Sequence, residues 1–161
     1  MIVVMIMGVV YSLAINNFSK LSDDSMKVTL QTLKEYLIHT PHEKSAKLLC
    51  LDDCSSCDVF VDGVKSSTIE DFLDDGVVTY RYEFAYGFVR AEPEVYFNKD
   101  DIEENVCFSY MVDENGIGDQ ALVEYKDKFY DYSSHLSETQ VYNSISEARN
   151  AKDDFAKEVT R

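Results

Sequence analysis

The first fifteen residues, Met1 to Ile15 (MIVVMIMGVVYSLAI), carry no charge, and the first charged side chain is Lys20. A helix rises about 1.5 Å per residue, so this run would cover roughly 22 Å, short of a hydrocarbon core about 30 Å thick. It shows no polar face before Ser12, whereas a buried core helix of a globular protein normally has one. Besides a plain core helix, two readings stand. A cleaved signal peptide finds a suitable apolar length and a small-x-small site at Ser12–Ala14, but lacks the basic residues that usually precede the apolar region. The other reading is the visible part of a membrane helix that starts upstream of Met1.

The remainder is the size of one domain and can bury a core. The chain has 161 residues, 45% of them apolar, with 11 Tyr, 9 Phe and no Trp. Six Gly and two Pro leave no room for a long disordered linker. The formal net charge is −15, which repels phosphate backbones, so no direct nucleic-acid binding is expected from the acidic head.

The run "MIVVMIMGVVYSLAI" resembles the middle of the N-terminal helix of type IV pilins and of the pseudopilins of type II secretion. Gly8 falls where that family has a glycine inside the helix. The resemblance implies that about six residues of the mature helix precede Met1, giving roughly 21 residues and about 32 Å, enough to span a bilayer. The family's processing site and its buried Glu are absent here, so cleavage and N-methylation are not carried onto any residue. The resemblance covers roughly the first 40 residues. In this reading Gly8 serves assembly, by letting sister helices approach closely.

From Phe18 the pattern becomes amphipathic. Phe18, Leu21, Met26, Leu30, Leu33 and Leu37 recur at mostly three- and four-residue steps between charged residues, which predicts a helix. It should end near His39, because Thr40 precedes Pro41. A continuous helix from Met1 to His39 would be about 58 Å long; the alternative is two helices with a break at Asn16-Asn17. His39 and His42 form an H-x-x-H pair, a weak metal candidate better placed as imidazoles meeting a helix C-terminus.

The head reads as β. "AKLLCLDDCSSCDVFVDG" predicts a hairpin with strand cores Leu48–Leu51 and Val59–Val61. Further strands are predicted over Val77–Phe88, Val95–Phe97, Val106–Val112, Leu122–Tyr125 and Lys128–Tyr132. The alternation of Tyr80, Tyr82, Phe84 and Tyr86 predicts a half-buried strand. Cys54 and Cys57 form C-x-x-C, but a strand pattern follows and Asp52, Asp53 and Asp58 flank the motif, which disfavours a reactive thiolate. Cys50, Cys54, Cys57 and Cys107 match a zinc ligand count with an uncommon spacing. Structural disulfides are expected instead, with Cys54–Cys57 clipping the hairpin and with Cys50 and Cys107 either paired across the sheet or left reduced; four cysteines allow three pairings and the sequence does not choose.

Asp113, Asn115 and Asp119 in "DENGIGDQ" are weak calcium candidates, as some major pseudopilins bind calcium in a comparable loop; Asn115-Gly116 alone explains a turn. Ser137 and Gln140 predict a capping box, and Val141, Ile145, Ala148, Phe155 and Val159 a C-terminal helix over about 138–160. There is no Gly-rich phosphate loop, G-x-S-x-G or H-E-x-x-H, and His39, His42 and His135 neighbour no nucleophile in sequence. No enzyme activity, no cofactor and no catalytic residue is expected.

Together these features predict an α+β protein. A pilin-like helix occupies 1–39, with 1–15 its truncated transmembrane part, and an extracytoplasmic antiparallel β-sheet head with the C-terminal helix occupies 40–161. The resemblance implies a structural subunit of type II protein secretion or of DNA uptake in natural transformation. Its partners would be sister pilin-like subunits and envelope assembly-platform proteins. It would sit as a single-pass inner-membrane protein with its head in the periplasm. The "CLDDCSSCDVFVDG" hairpin looks similar to pilin-like proteins of epsilon-class bacteria. The alternatives are a periplasmic binding module with a cleaved signal peptide, and a disulfide-handling or metal-binding protein.

Overall fold

The computed structural model describes residues 28–159 except 93, 99 and 135–137, so Met1–Ile15 with Gly8, the Asn16-Asn17 break, His135 and Ser137 lie outside the described residues. Two five-stranded antiparallel sheets make up the described chain. The first contains β1 (Ser45–Leu51), β2 (Ser56–Val61), β3 (Val64–Glu70), β6 (Glu94–Phe97) and β7 (Glu103–Asp113), in the order β3-β2-β1-β7-β6. The second contains β4 (Val78–Glu83), β5 (Gly87–Arg90), β8 (Leu122–Tyr125), β9 (Lys128–Asp131) and β10 (Gln140–Tyr142), in the order β10-β9-β8-β4-β5. Two helices accompany them, α1 (Leu33–His39) and α2 (Ile145–Val159).

Strand alternation builds the core. The register Ala46↔Val112, Leu48↔Tyr110 and Cys50↔Phe108 brings six buried side chains onto one face of the first sheet. Leu30, Leu33 and Leu37 of the α1 region, and Val77, Val123 and Tyr132 of the second sheet's layer, complete this cluster. On its other face the second sheet packs Phe88, Leu122 and Phe129 against Ala148 of α2, with Tyr80 and Ile145 at the margin.

The expected long N-terminal helix on a single sheet is corrected here. Within the described residues, helix begins only at Leu33, after a turn over Leu30–Thr32. The cause is local. The Thr29 N–H donates to Thr32 Oγ1 (3.0 Å), and the Thr32 N–H donates to the Thr29 carbonyl (3.0 Å). These threonine bonds offer the backbone a partner other than the helical ladder. The predicted stop holds: α1 ends at His39, and Thr40 before Pro41 is extended at ψ 120°.

The expected strand over Val77–Phe88 is instead a hairpin. β4 and β5 pair through Tyr82↔Phe88 and Glu83↔Gly87, and Gly87 sits at φ +76°. Phe84 and Tyr86 therefore fall in the loop, 99% and 76% exposed, not on a half-buried face.

The C-terminal helix starts at Ile145 rather than near 138, and Gln140 opens β10. Its cap is Ser144, whose Oγ accepts the Glu147 N–H (3.1 Å), while the Glu147 carboxylate accepts the Asn143 N–H (2.9 Å). This is a variant of the capping box, with the carboxylate on the N–H before the cap residue, shifted seven positions from the one read at Ser137 and Gln140.

Candidate functional site

All four cysteines are in disulfides, but not in the expected pairs. Cys50 bonds Cys57, and Cys54 bonds Cys107. Register dictates the first bond. Leu48 faces Val59 across β1–β2, so Cys50 faces Cys57, with Cα atoms 4.1 Å apart. Cys54 lies in the turn at φ +64°, which leaves it free of the β1–β2 ladder to reach Cys107 on β7. The turn is held by the Cys54 N–H donating to the Leu51 carbonyl (3.0 Å) and the Asp52 N–H donating to the Asn105 carbonyl (3.0 Å). Cys54 and Cys57 thus belong to different bonds, and the C-x-x-C is not a dithiol pair.

Beside the Cys54–Cys107 bond a cleft of about 680 Å³ opens between the two sheets. Val106 to Ser109 of β7 form one wall, Val78 to Arg81 of β4 the other, and Asp119 to Ala121 lie between. Its charged groups are Asp52, Asp75, Glu92, Glu94 and Asp119 against Arg81 and Arg90. Arg81 is partly neutralised by Glu83, 2.8 Å away outside the cleft lining. Burial raises the Asp119 carboxyl above the usual carboxylate range, against the Met111 N–H that it accepts (3.0 Å). The Ser109 hydroxyl donates to Glu94 (3.2 Å). Five carboxylates against two guanidiniums make the cleft suited to a cationic group, and hostile to phosphate.

No protein-family model, curated protein or solved structure matches this chain.

The calcium candidates are not gathered. Asp113 Oδ1 accepts the N–H groups of Asn115 and Ile117 (both 2.8 Å), and these bonds, that from Ile117 foremost, hold its carboxyl below its ordinary value. Asp119 is committed to Met111 instead. Among the described residues no three His, Cys, Asp or Glu side chains are placed to hold a metal ion.

Neither described histidine lines the cleft. His39 is bonded to the Glu35 carbonyl (2.8 Å), at the end of α1 as expected of an imidazole near a helix C-terminus. His42 bridges two carbonyls, that of Thr40 through Nδ1 (2.6 Å) and that of Asp113 through Nε2 (3.0 Å). These bonds, led by the one to Thr40, raise its pKa, and both rings serve as structural clasps.

Among the described residues no helix is long and apolar enough to cross a membrane. Sequence reading missed the cleft because strands distant in sequence build it. It also missed the exposed rings at the β4–β5 tip, where Gly87 was the available turn signal.

Proposed function

We propose that this chain is an extracytoplasmic head held at a membrane by its apolar N-terminal run, and that it acts by contact with partner subunits in a pilin-like assembly. The supporting observation is a pairing of two features: a fully uncharged Met1–Ile15 and a head stapled by two disulfides. Disulfides persist in oxidising compartments, and an uncharged apolar run is how a chain there is led to or kept at a bilayer. From the resemblance to pilins and pseudopilins this reading takes the apolar run and Gly8; it does not call on a helix continuing to His39. The machine served is of the type II secretion or DNA-uptake kind, in the inner membrane with the head in the periplasm.

The test is fractionation of the natural protein together with crosslinking in cells. Resistance to carbonate extraction and crosslinks from the head to sister subunits are expected. Truncation before Asn16 should release a folded head that no longer supports transport, and Gly8→Leu should keep insertion but weaken assembly. Normal transport by the truncated head would overturn the assembly reading.

A second reading, a binding module freed by signal-peptide cleavage, is favoured by the intersheet cleft of about 680 Å³. A mature N-terminus near Asn16 in a wholly soluble protein would select it.

A further inference from the structure

We propose that the β4–β5 hairpin tip and the overhanging half of α2 form a docking surface for a phospholipid bilayer, so that the head lies on the membrane that its N-terminal run anchors. The proposal rests on the anchored-head reading above.

The surface is aromatic. Phe84 is 99% exposed, Tyr86 76% and Phe155 69%. Turns are ordinarily built from small and polar residues, and neither loop ring is needed to close this one, since Gly87 supplies the positive φ. Rings that project from a tip lack the concave walls of a ligand pocket, but they suit the boundary between headgroups and acyl chains.

Topology brings these rings to one end. Tyr80 is level with Leu122, and Leu122 with Asp131, so the tip beyond Glu83 lies past the Ala121–Tyr132 end of the second sheet. α2 runs toward that tip. Ala148 is buried on the sheet, the Arg149 side chain approaches to 3.3 Å of where a β-carbon at Gly87 would stand, and Lys152 Nζ lies 5.4 Å from the Tyr82 ring centroid. Phe155 follows on the same helical stripe, three residues past Lys152. The Tyr132 hydroxyl donates to the Leu30 carbonyl, so the chain also joins the head at this end.

Charge separates this end from the rest of the molecule. In a chain of net charge −15, it carries Arg81, Arg149, Lys152 and Lys157 against Glu83, Asp153, Asp154 and Glu158, and so has no net charge. Glu83 is paired with Arg81 (2.8 Å) and Asp154 with Lys157 (3.0 Å). Exposed rings at an end without net charge can enter the headgroup boundary without the repulsion that the acidic remainder of the head meets at an anionic surface. Twelve residues, 16–27, separate the apolar run from the described head. Fully extended they reach at most about 40 Å, so the head stays near the surface that the run anchors.

The absence of tryptophan from the sequence makes a clean test. Full-length Phe84→Trp and Val64→Trp proteins are prepared with vesicles of phosphatidylethanolamine and phosphatidylglycerol; Val64 is 69% exposed on the other sheet. Flotation is measured with indole quenching by dibrominated phospholipid and by aqueous acrylamide. Both proteins should float. The indole at position 84 should shift to the blue on vesicle addition, be quenched by the brominated lipid and lose most of its acrylamide quenching, while that at position 64 stays in water. Flotation with equal acrylamide access at both positions overturns the docking surface and leaves the anchor standing. Protection at position 84 without vesicles, untouched by brominated lipid, assigns the surface to a second copy or another protein and overturns the lipid proposal. Failure of either protein to float removes the anchored-head reading and the docking surface together.

Discussion

Gly118 lies directly against the hydroxyl of Tyr110. A β-carbon at position 118 would fall inside the contact shell of that oxygen and stand 2.7 Å from Tyr110 Cζ. Tyr110 is fully buried, its ring tilted against that of Tyr132 with centroids 4.5 Å apart, and its hydroxyl has no hydrogen-bond partner among the described residues. The ring therefore has no room to yield. Gly118→Ala should destabilise the head by about 1–3 kcal/mol through overpacking. Tyr110→Phe removes an unpaired buried polar atom and should be neutral or stabilising by about 1 kcal/mol. The double variant should recover part of the loss, because Cζ remains in the way. Denaturant midpoints of the four proteins check this; additive effects would show that the two residues do not share the contact.

The two disulfides should differ in worth. On the chain-entropy model, a bond spanning 53 residues, Cys54–Cys107, stabilises by about 4 kcal/mol, and one spanning 7, Cys50–Cys57, by about 2 kcal/mol. Cys107→Ser with Cys54→Ser should therefore lower the unfolding midpoint more than the Cys50→Ser, Cys57→Ser pair. The pairing itself is checked by cutting the unreduced protein before its aspartates. Cuts at Asp53 and Asp58 leave Cys54 and Cys57 in one peptide, which here must tether two others, with fragmentation placing Cys54 on Cys107. A bond closed within that peptide would refute the assignment.

His42 should make stability pH-dependent. Both ring nitrogens face carbonyl acceptors, and only the imidazolium can donate to both. Its folded pKa is raised, first by the Thr40 bond and then by the Asp113 bond. Its contribution is then fully present below the unfolded value of about 6.5 and is lost as pH rises through the higher folded value. The stability difference between wild type and His42→Ala should shrink from pH 5.5 to pH 9. A constant difference would show that the ring acts by packing alone.

How far the fold was legible varies by element, for physical reasons. Thr40-Pro41 marked the end of α1 because its signal is local and steric. β1, β2 and β7 showed as apolar runs because they are buried. β3 (VKSSTIE) did not, since only Ile69 is even half-buried and an exposed edge strand leaves no hydrophobic pattern; the Asp62-Gly63 turn, with both φ positive, was its one trace. Tyr80, Tyr82, Phe84 and Tyr86 share one spacing on either side of a bend, so alternation alone could not divide them. The division into two sheets depends on pairings between distant strands, and so does the cleft between them. The Cys50–Cys57 bond was within reach: strand cores at Leu48 and Val59 already imply a register that sets those two cysteines opposite each other. Cys54–Cys107 was not, because it depends on where a turn residue points.

The β8–β9 turn offers a local gain. Lys126 and Asp127 form a two-residue loop closed by Tyr125↔Lys128, and both have positive φ, 48° and 59°. This is the primed geometry that suits the twist of a hairpin, and it favours Asn-Gly, because side chains with a β-carbon are crowded there. The Lys126 ammonium lies 4.7 Å over the Tyr125 ring and 3.8 Å from Asp74, which gives that residue a role. None of the side-chain bonds described for this turn involves Asp127. Asp127→Gly should therefore stabilise the head by roughly 0.5 kcal/mol, relief of the backbone exceeding the entropy that glycine adds to the unfolded chain. Asp127→Ala should act in the opposite direction, since alanine tolerates the left-handed region less well than aspartate. Urea midpoints of the two variants decide it. A rise for both, or a change in the slope of the transition, would mean that the effect lies in the unfolded state and not in the turn.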